Sequence, residues 1–322
     1  MKLSAPFGLR RSFLCENVSL APQLTRISLG RHTARCTRVF AIALIAVLAV
    51  APHSEGPGLV GPDTVVVQSG ALRLRGLVWR PHGKGPFPTV LFNHGSALDS
   101  ANSANGRRDT RNRERGAALL GPIFARHGYV FLYLFRRGTG PSAGQGSYSG
   151  DLRAAELAAH GQEAQERLQL RLLEGDELSD AFAGLRYLRS LPEVDAGRVA
   201  VVGHSFGGSL TLLIAEHDST LRAAIDFASA TGSWGSAPLR ERLRTAVSRT
   251  TVPIFFIHAS NDYSIEPGKS LASDMTRLGK PNRLRIYPAY GRTPEEGHNI
   301  VYLNTATWET DVFAFLDSCM RP

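Results

Sequence analysis

Arg198-Val199-Ala200-Val201-Val202-Gly203-His204-Ser205-Phe206-Gly207-Gly208 is the stretch on which the reading of this chain turns. Residues 199–202 are small or β-branched and apolar, the composition of a short buried strand. Residues 209–216, which follow directly, have helical composition. Between them a serine stands with a glycine two positions to either side, so strand, tight turn and helix succeed one another without a linker. A turn of this kind holds the Ser205 hydroxyl clear of the sheet, and Gly203 and Gly207 remove Cβ atoms that would collide where strand and helix meet. A bare G-x-S-x-G is common by chance; the flanking strand and helix give it weight.

Outward from this stretch, short apolar runs recur at 89–92, 130–135, 221–227, 254–258 and 284–287. They are mostly separated by segments of helical length and periodicity, at 113–127, 178–191, 208–216, 267–278 and 305–319. Leu178, Ala181, Leu185, Leu188 and Leu191, for example, form one buried stripe at helical spacing. Such alternation predicts an α/β domain with a mostly parallel central sheet and helices on both faces. Runs 64–67 and 72–79, parted by Ser69-Gly70, predict an antiparallel hairpin at a sheet edge. Residues 151–176, rich in Glu, Gln, Arg and Ala, predict an inserted helix on the rim. Segment 232–250 with Trp234, together with Tyr263 and Arg136, supplies candidate pocket or lid elements, though a purely structural role is the ordinary explanation for each.

The chain has 322 residues, 43% of them hydrophobic, which suffices for one large domain and a leader. Its formal charge of +9 is concentrated at the N-terminus. Lys2, Arg10, Arg11, Arg26, Arg31, Arg35 and Arg38 stand there against Glu16 alone, and beyond residue 51 only 30 basic residues face 27 acidic ones. No basic stripe interleaved with aromatics follows, so a nucleic-acid partner is not expected. Arg31, Arg35 and Arg38 precede the apolar run 39–50, and Ala49-Val50-Ala51 is a small-x-small site. Residues 1–51 therefore read as a signal peptide, 52–62 as a Pro/Gly linker and 63–322 as the folded domain of an exported (periplasmic or extracellular) protein. Anchoring in a membrane by residues 39–51 is the alternative, against which the run is shorter than the ~20 residues of a spanning helix. Cys319 alone remains beyond the leader, which leaves no internal disulfide. There is no His-Glu-x-x-His and no paired-cysteine motif, so neither metal nor other cofactor is expected.

A serine hydroxyl becomes a nucleophile when a base takes its proton, and the base needs an acid to orient it. After a turn of this type the acid and then the histidine follow the serine along the chain. His217 ends the helix after the turn and His258 lies inside a strand, whereas His298 follows a strand and a loop. His298 is the candidate base. Asp262, just past the run 254–258, is the candidate acid, and Asp226, near the end of the previous strand but flanked by Ile225 and Phe227, is its competitor. Glu295 and Glu296 read as solvated loop charges. The oxyanion of a tetrahedral intermediate needs preorganised donors, for which the amides of Phe206 and of Ser96, after Asn93-His94-Gly95, are the candidates.

The set Asn93-His94-Gly95-Ser96, Arg137-Gly138-Thr139-Gly140-Pro141-Ser142, Gly203-His204-Ser205-Phe206-Gly207-Gly208, Asn261-Asp262 and Glu296-Gly297-His298 resembles the dienelactone hydrolase-like branch of the α/β-hydrolases, which adjoins the prolyl-oligopeptidase-like peptidases. The resemblance covers residues 63–320 and implies a serine esterase acting on a small ester, a lactone or a short peptide-like substrate. Dienelactone hydrolases proper carry a cysteine nucleophile where this chain has Ser205, which argues against dienelactone itself. A serine peptidase or aminoacyl amidase of the same fold is the alternative. Two further classes are weaker. Gly138-Thr139-Gly140-Pro141-Ser142-Ala143 formally matches a dinucleotide fingerprint, which would make the chain an oxidoreductase. Pro141, Gly144, Gly146 and Gly150 oppose the immediate helix that would hold a pyrophosphate, so a loop bordering the active-site cleft is expected instead. A non-catalytic binding module has no feature in its favour, because each catalytic position holds a competent residue type.

Overall fold

The computed structural model describes residues 61–96 and 110–320, all within one unit spanning Glu55–Pro322. The predicted leader 1–51 and its cleavage site, with linker residues 52–60, lie outside the described residues. The strands are β1 (Asp63–Ser69), β2 (Leu72–Trp79), β3 (Phe87–Asn93), β4 (Val130–Phe135), β5 (Val194–His204), β6 (Ala223–Phe227), β7 (Ile254–Ala259) and β8 (Asn282–Tyr287). They form one sheet in the order β1-β2-β4-β3-β5-β6-β7-β8. The β1–β2 hairpin lies at the edge as expected, and β2 pairs antiparallel with β4. Every other pairing is parallel.

The helices are α1 (Thr110–Arg126), α2 (Ser149–Leu172), α3 (Leu178–Arg189), α4 (Phe206–His217), α5 (Ala237–Arg249), α6 (Glu266–Arg277), α7 (Pro294–His298), α8 (Ile300–Leu303) and α9 (Thr305–Met320). They cover both faces, which is why residues 199–202 of β5 are apolar and buried without alternation. Val199 and Val201 enter one core, with Leu185, Leu188 and Leu212. Ala200 and Val202 enter the other, with Phe124, Trp308 and Phe313. The stripe Leu178, Ala181, Leu185 and Leu188 is buried, and Leu191 packs against its edge.

Three expectations need correction or refinement. Helix α5 is no lid: Leu239, Leu243, Ala246 and Val247 pack into the core, and of segment 232–250 only Gly232, Ser233, Gly235 and Ser236, ahead of the helix, line a cavity. Segment 138–143 forms a short 3-10 turn at Gly140–Ser142 and borders neither cavity beside Ser205; Thr139 Oγ1 instead lies 3.4 Å from His94 Nε2, behind the site. The predicted strand 221–227 begins only at Ala223. The inserted helix at 151–176 is present as α2, with Gly161 at φ 78° marking a kink and a π turn (Leu173–Glu177) joining it to α3. Among the described residues no helix is long and apolar enough to cross a membrane.

Candidate active site

The carboxyl ends of the parallel strands meet along one edge of the sheet, the side on which this architecture places ligands. Residues 94–96 follow β3, Ser205 follows β5, and Asp262 and His298 follow β7 and β8. Ser205 lies in the left-handed region, at φ 55° and ψ −119°, a conformation with a cost on the order of 1–3 kcal/mol for a non-glycine residue. Close packing imposes it. A Cβ on Gly207 would lie 1.9 Å from the Asn93 carbonyl oxygen, and one on Gly203 would lie 2.1 Å from that of Gly207. The Ser205 amide donates to the Phe227 carbonyl at 2.8 Å, tying the turn to β6.

Ser205, His298 and Asp262 form one chain of hydrogen bonds. His298 Nε2 is 3.0 Å from Ser205 Oγ, and His298 Nδ1 is 2.9 Å from Asp262 Oδ1. Thr231 Oγ1 also approaches His298 Nδ1, at 3.1 Å. Helix α7, which ends on His298, is set by a capping box: Glu296 N–H donates to Thr293 Oγ1, and Thr293 N–H donates to Glu296 Oε2 at 2.9 Å. Glu296 is therefore a cap for the histidine's helix and not a free loop charge. Asn261 joins the two loops, its Nδ2 donating to the carbonyls of Tyr290 and Thr293 at 2.8 and 2.9 Å.

Two histidines that sequence reasoning left without a role hold this chain in place. His258 is fully buried, and its Nδ1–H donates to Asp262 Oδ2 at 3.2 Å, so one carboxylate is shared between two imidazoles. The Tyr263 amide donates to Oδ1 at 2.7 Å. Burial alone would raise the Asp262 carboxyl, but the hydrogen bonds from His258 and His298 outweigh it and hold the group below its usual range. His204 Nε2–H donates to the His298 carbonyl at 2.9 Å. Burial, with the neighbouring His298 charge, pushes His204 down to about 3, which keeps a second cation away from the site.

Asp226, the competing acid, is not part of the constellation. It is fully buried in β6, where Oδ2 accepts from Ser229 Oγ at 2.5 Å and Oδ1 accepts from the Ser229 amide at 3.0 Å. Burial raises it to about 6. The unfolded chain releases this proton near ~3.9. The stability Asp226 contributes is thus fully present below about pH 4 and is lost as pH rises through about 6. Denaturant unfolding of wild type and Asp226→Asn across this window should show wild type losing stability relative to the variant as pH rises. A difference independent of pH would contradict it.

Around the serine, Gly95 packs so closely that a Cβ there would come within 3.2 Å of Ser205 Cβ. Ser96 is exposed and lines the cavities beside the serine. Phe206 opens α4, where first-turn amides have no acceptor within the helix. His94 is buried and stacked on Tyr133 at 5.8 Å, and burial with the charges of Arg136 and Arg113 holds it well below its usual value. Arg136, a candidate pocket residue from sequence, lies beneath this loop instead. It is buried, donating from Nη2 to the His94 carbonyl at 2.8 Å and from Nε to Glu177 at 2.5 Å. Trp234 packs against the core, while Tyr263 does line the site.

A sequence model of the dienelactone hydrolase family matches residues 119–309, more than half of the chain. No curated protein matches. Among solved structures, a dienelactone hydrolase of Anabaena variabilis is similar at a TM-score of 0.54 and 20% identity, over 81% of this chain and 100% of that one. An esterase of Pyrococcus furiosus is similar at 0.56 and 16% identity, over 81% and 91%. An acylaminoacyl peptidase of Pyrococcus horikoshii is similar at 0.54 and 17% identity, over 80% of this chain but only 41% of its own. The chain thus spans about two fifths of that peptidase.

Proposed function

Because the chain belongs to the dienelactone hydrolase family, we propose that it is a serine hydrolase cleaving a carboxylic ester or lactone through an acyl-enzyme on Ser205. The observation that carries this reading is the unbroken chain Ser205 Oγ, His298 Nε2, His298 Nδ1, Asp262 Oδ1, each link at 2.9–3.0 Å. Ser205 Oγ attacks the carbonyl carbon while His298 Nε2 takes its proton. The oxyanion that forms is held by the amides of Phe206 and Ser96. The ester C–O bond then breaks, and His298 returns the proton to the leaving alcohol. Water, deprotonated by His298, attacks the acyl-enzyme and restores Ser205. Asp262 keeps the imidazole in the Nδ1–H tautomer throughout and stabilises it when charged.

The test is a panel of aryl esters, lactones and aminoacyl amides assayed on the purified protein. Esters or lactones should be turned over with a burst of about one equivalent per enzyme when deacylation is slow. Aminoacyl amides turned over with the higher kcat/KM would place the protein with the peptidases, and dependence on a nucleotide would refute a hydrolase.

A further inference from the structure

Ser205 stands between two cavities of opposite character. The first, about 560 Å³, is walled by Leu119, Tyr133, Tyr263, Tyr302 and Leu303. Of its charged members, Arg113 is engaged with His94 and the Gly95 carbonyl, Glu296 caps α7, and Arg115 and Glu295 are exposed. The second, about 450 Å³, is walled by Arg153, Gln162, Gln165 and Gln169 of α2, with Ser209 and Thr231. Ser96, Ser205, Tyr263 and His298 border both.

Two independent observations say what each cavity takes. Five large apolar side chains are exposed among the described residues; three of them, Leu119, Tyr263 and Leu303, gather on the first cavity at 39%, 53% and 50% exposure, whereas Leu157 is the one that lines the second cavity alone. Single exposed apolar residues need no explanation, but a cluster at a cavity mouth marks a surface that a ligand covers. In the second cavity Arg153 is half-buried and lies over the Phe206 ring at 5.6 Å, and the acceptors its guanidinium reaches are all neutral: Gln169 Oε1 at 3.2 Å, Ser96 Oγ at 3.3 Å and the Ser149 carbonyl at 3.4 Å. No carboxylate lies within ion-pair distance of it among the described residues. Glu166, the one carboxylate on that cavity's wall, is engaged by the Gln162 amide at 2.9 Å. A planar guanidinium that shares a cavity with a nucleophile, and has no counter-ion among the described residues, is matched by a two-oxygen anion.

We propose that the site takes an amphiphilic ester, with an apolar group in the Leu119–Tyr302–Leu303 cavity, a carboxylate against Arg153 in the other, and the scissile carbonyl at Ser205 between them. This rests on the acyl-enzyme reading above. The two ends are recognised by separate walls, so their contributions to kcat/KM are separable.

The experiment uses four pairings of end groups: a phenyl or a methyl group on one side of the ester, and a carboxylate or its carboxamide on the other. Both orientations of the ester are assayed, and the faster carries the comparison. Wild type should prefer carboxylate to carboxamide by about tenfold or more, the scale of one charge-assisted contact. It should prefer phenyl to methyl by about tenfold. In Arg153→Gln the first ratio should fall to near one while the second persists. In the double variant Leu119→Ser, Leu303→Ser the reverse should hold. Thermal melts confirm that each variant is folded. Flat ratios in wild type, or ratios that survive the variants, would overturn the proposal. A wild-type protein that neither hydrolyses any ester nor reacts with a small neutral fluorophosphonate would overturn the acyl-enzyme reading itself, which is a different outcome.

Discussion

Ser205→Ala protein should lose kcat on the best ester by a factor on the order of 10⁶, the scale of nucleophile removal in a well-studied serine hydrolase, while keeping its fold. Alanine occupies φ 55° at no greater cost than serine, and the amide of residue 205 still donates to Phe227. The elbow therefore survives and only the nucleophile goes. His298 Nε2 is left facing a methyl group with no proton to take. The amides of Phe206 and Ser96 would still polarise a bound carbonyl, so a residue of activity above the water rate is expected. Steady-state kinetics on protein shown to be folded by thermal melting checks this, and a rate within tenfold of wild type would contradict it.

Asp262→Asn is expected to be nearly as severe, on the order of 10⁴ in turnover. The reason is visible in the hydrogen-bond count at this carboxylate. Asp262 accepts from His298 Nδ1, from His258 Nδ1 and from the Tyr263 amide, using both oxygens. Asparagine offers one acceptor oxygen and one NH₂ group, so one imidazole must then face amide hydrogens. If that is His298, its Nδ1–H tautomer is lost and Nε2 can no longer take the serine proton. If it is His258, a buried donor loses its acceptor. Asp226→Asn, in contrast, touches only the Ser229 contacts and should leave turnover within a few fold of wild type. An active Asp262→Asn beside an inactive, folded Asp226→Asn would exchange the two assignments.

Much of this molecule is legible in its sequence because the signals are local. The strand, glycine-flanked serine and helix at 198–217 occupy consecutive residues, and each glycine removes a clash with a neighbour in the same turn or the adjoining strand. The alternation of apolar runs and helical segments likewise reports a sheet covered on both faces. Asp262 and His298 could be named because chain order alone restricts the choice. The supports of the site were not legible, since they join residues distant in sequence. Arg136 meets Glu177 across 41 residues, and His204 meets the His298 carbonyl across 94. His258 is a different case, only four residues from Asp262, yet a histidine inside a strand gives no sign of which way its ring faces. One support did carry a readable signal: Thr293-Pro294-Glu295-Glu296 is a capping-box spacing directly before His298. The character of the cavities also stayed hidden, because α2, α1 and α8 come together around Ser205 only in the folded chain.

The central claim is that Ser205 is a nucleophile activated by His298, and covalent labelling reads it most directly. Incubation with a fluorophosphonate, followed by intact-mass measurement and peptide mapping, should show one adduct per chain, located on Ser205. The rate of labelling should fall by orders of magnitude in His298→Ala, and no adduct should form in Ser205→Ala. Folded wild-type protein that stays unlabelled, or that carries its adduct on any other residue, would contradict the account.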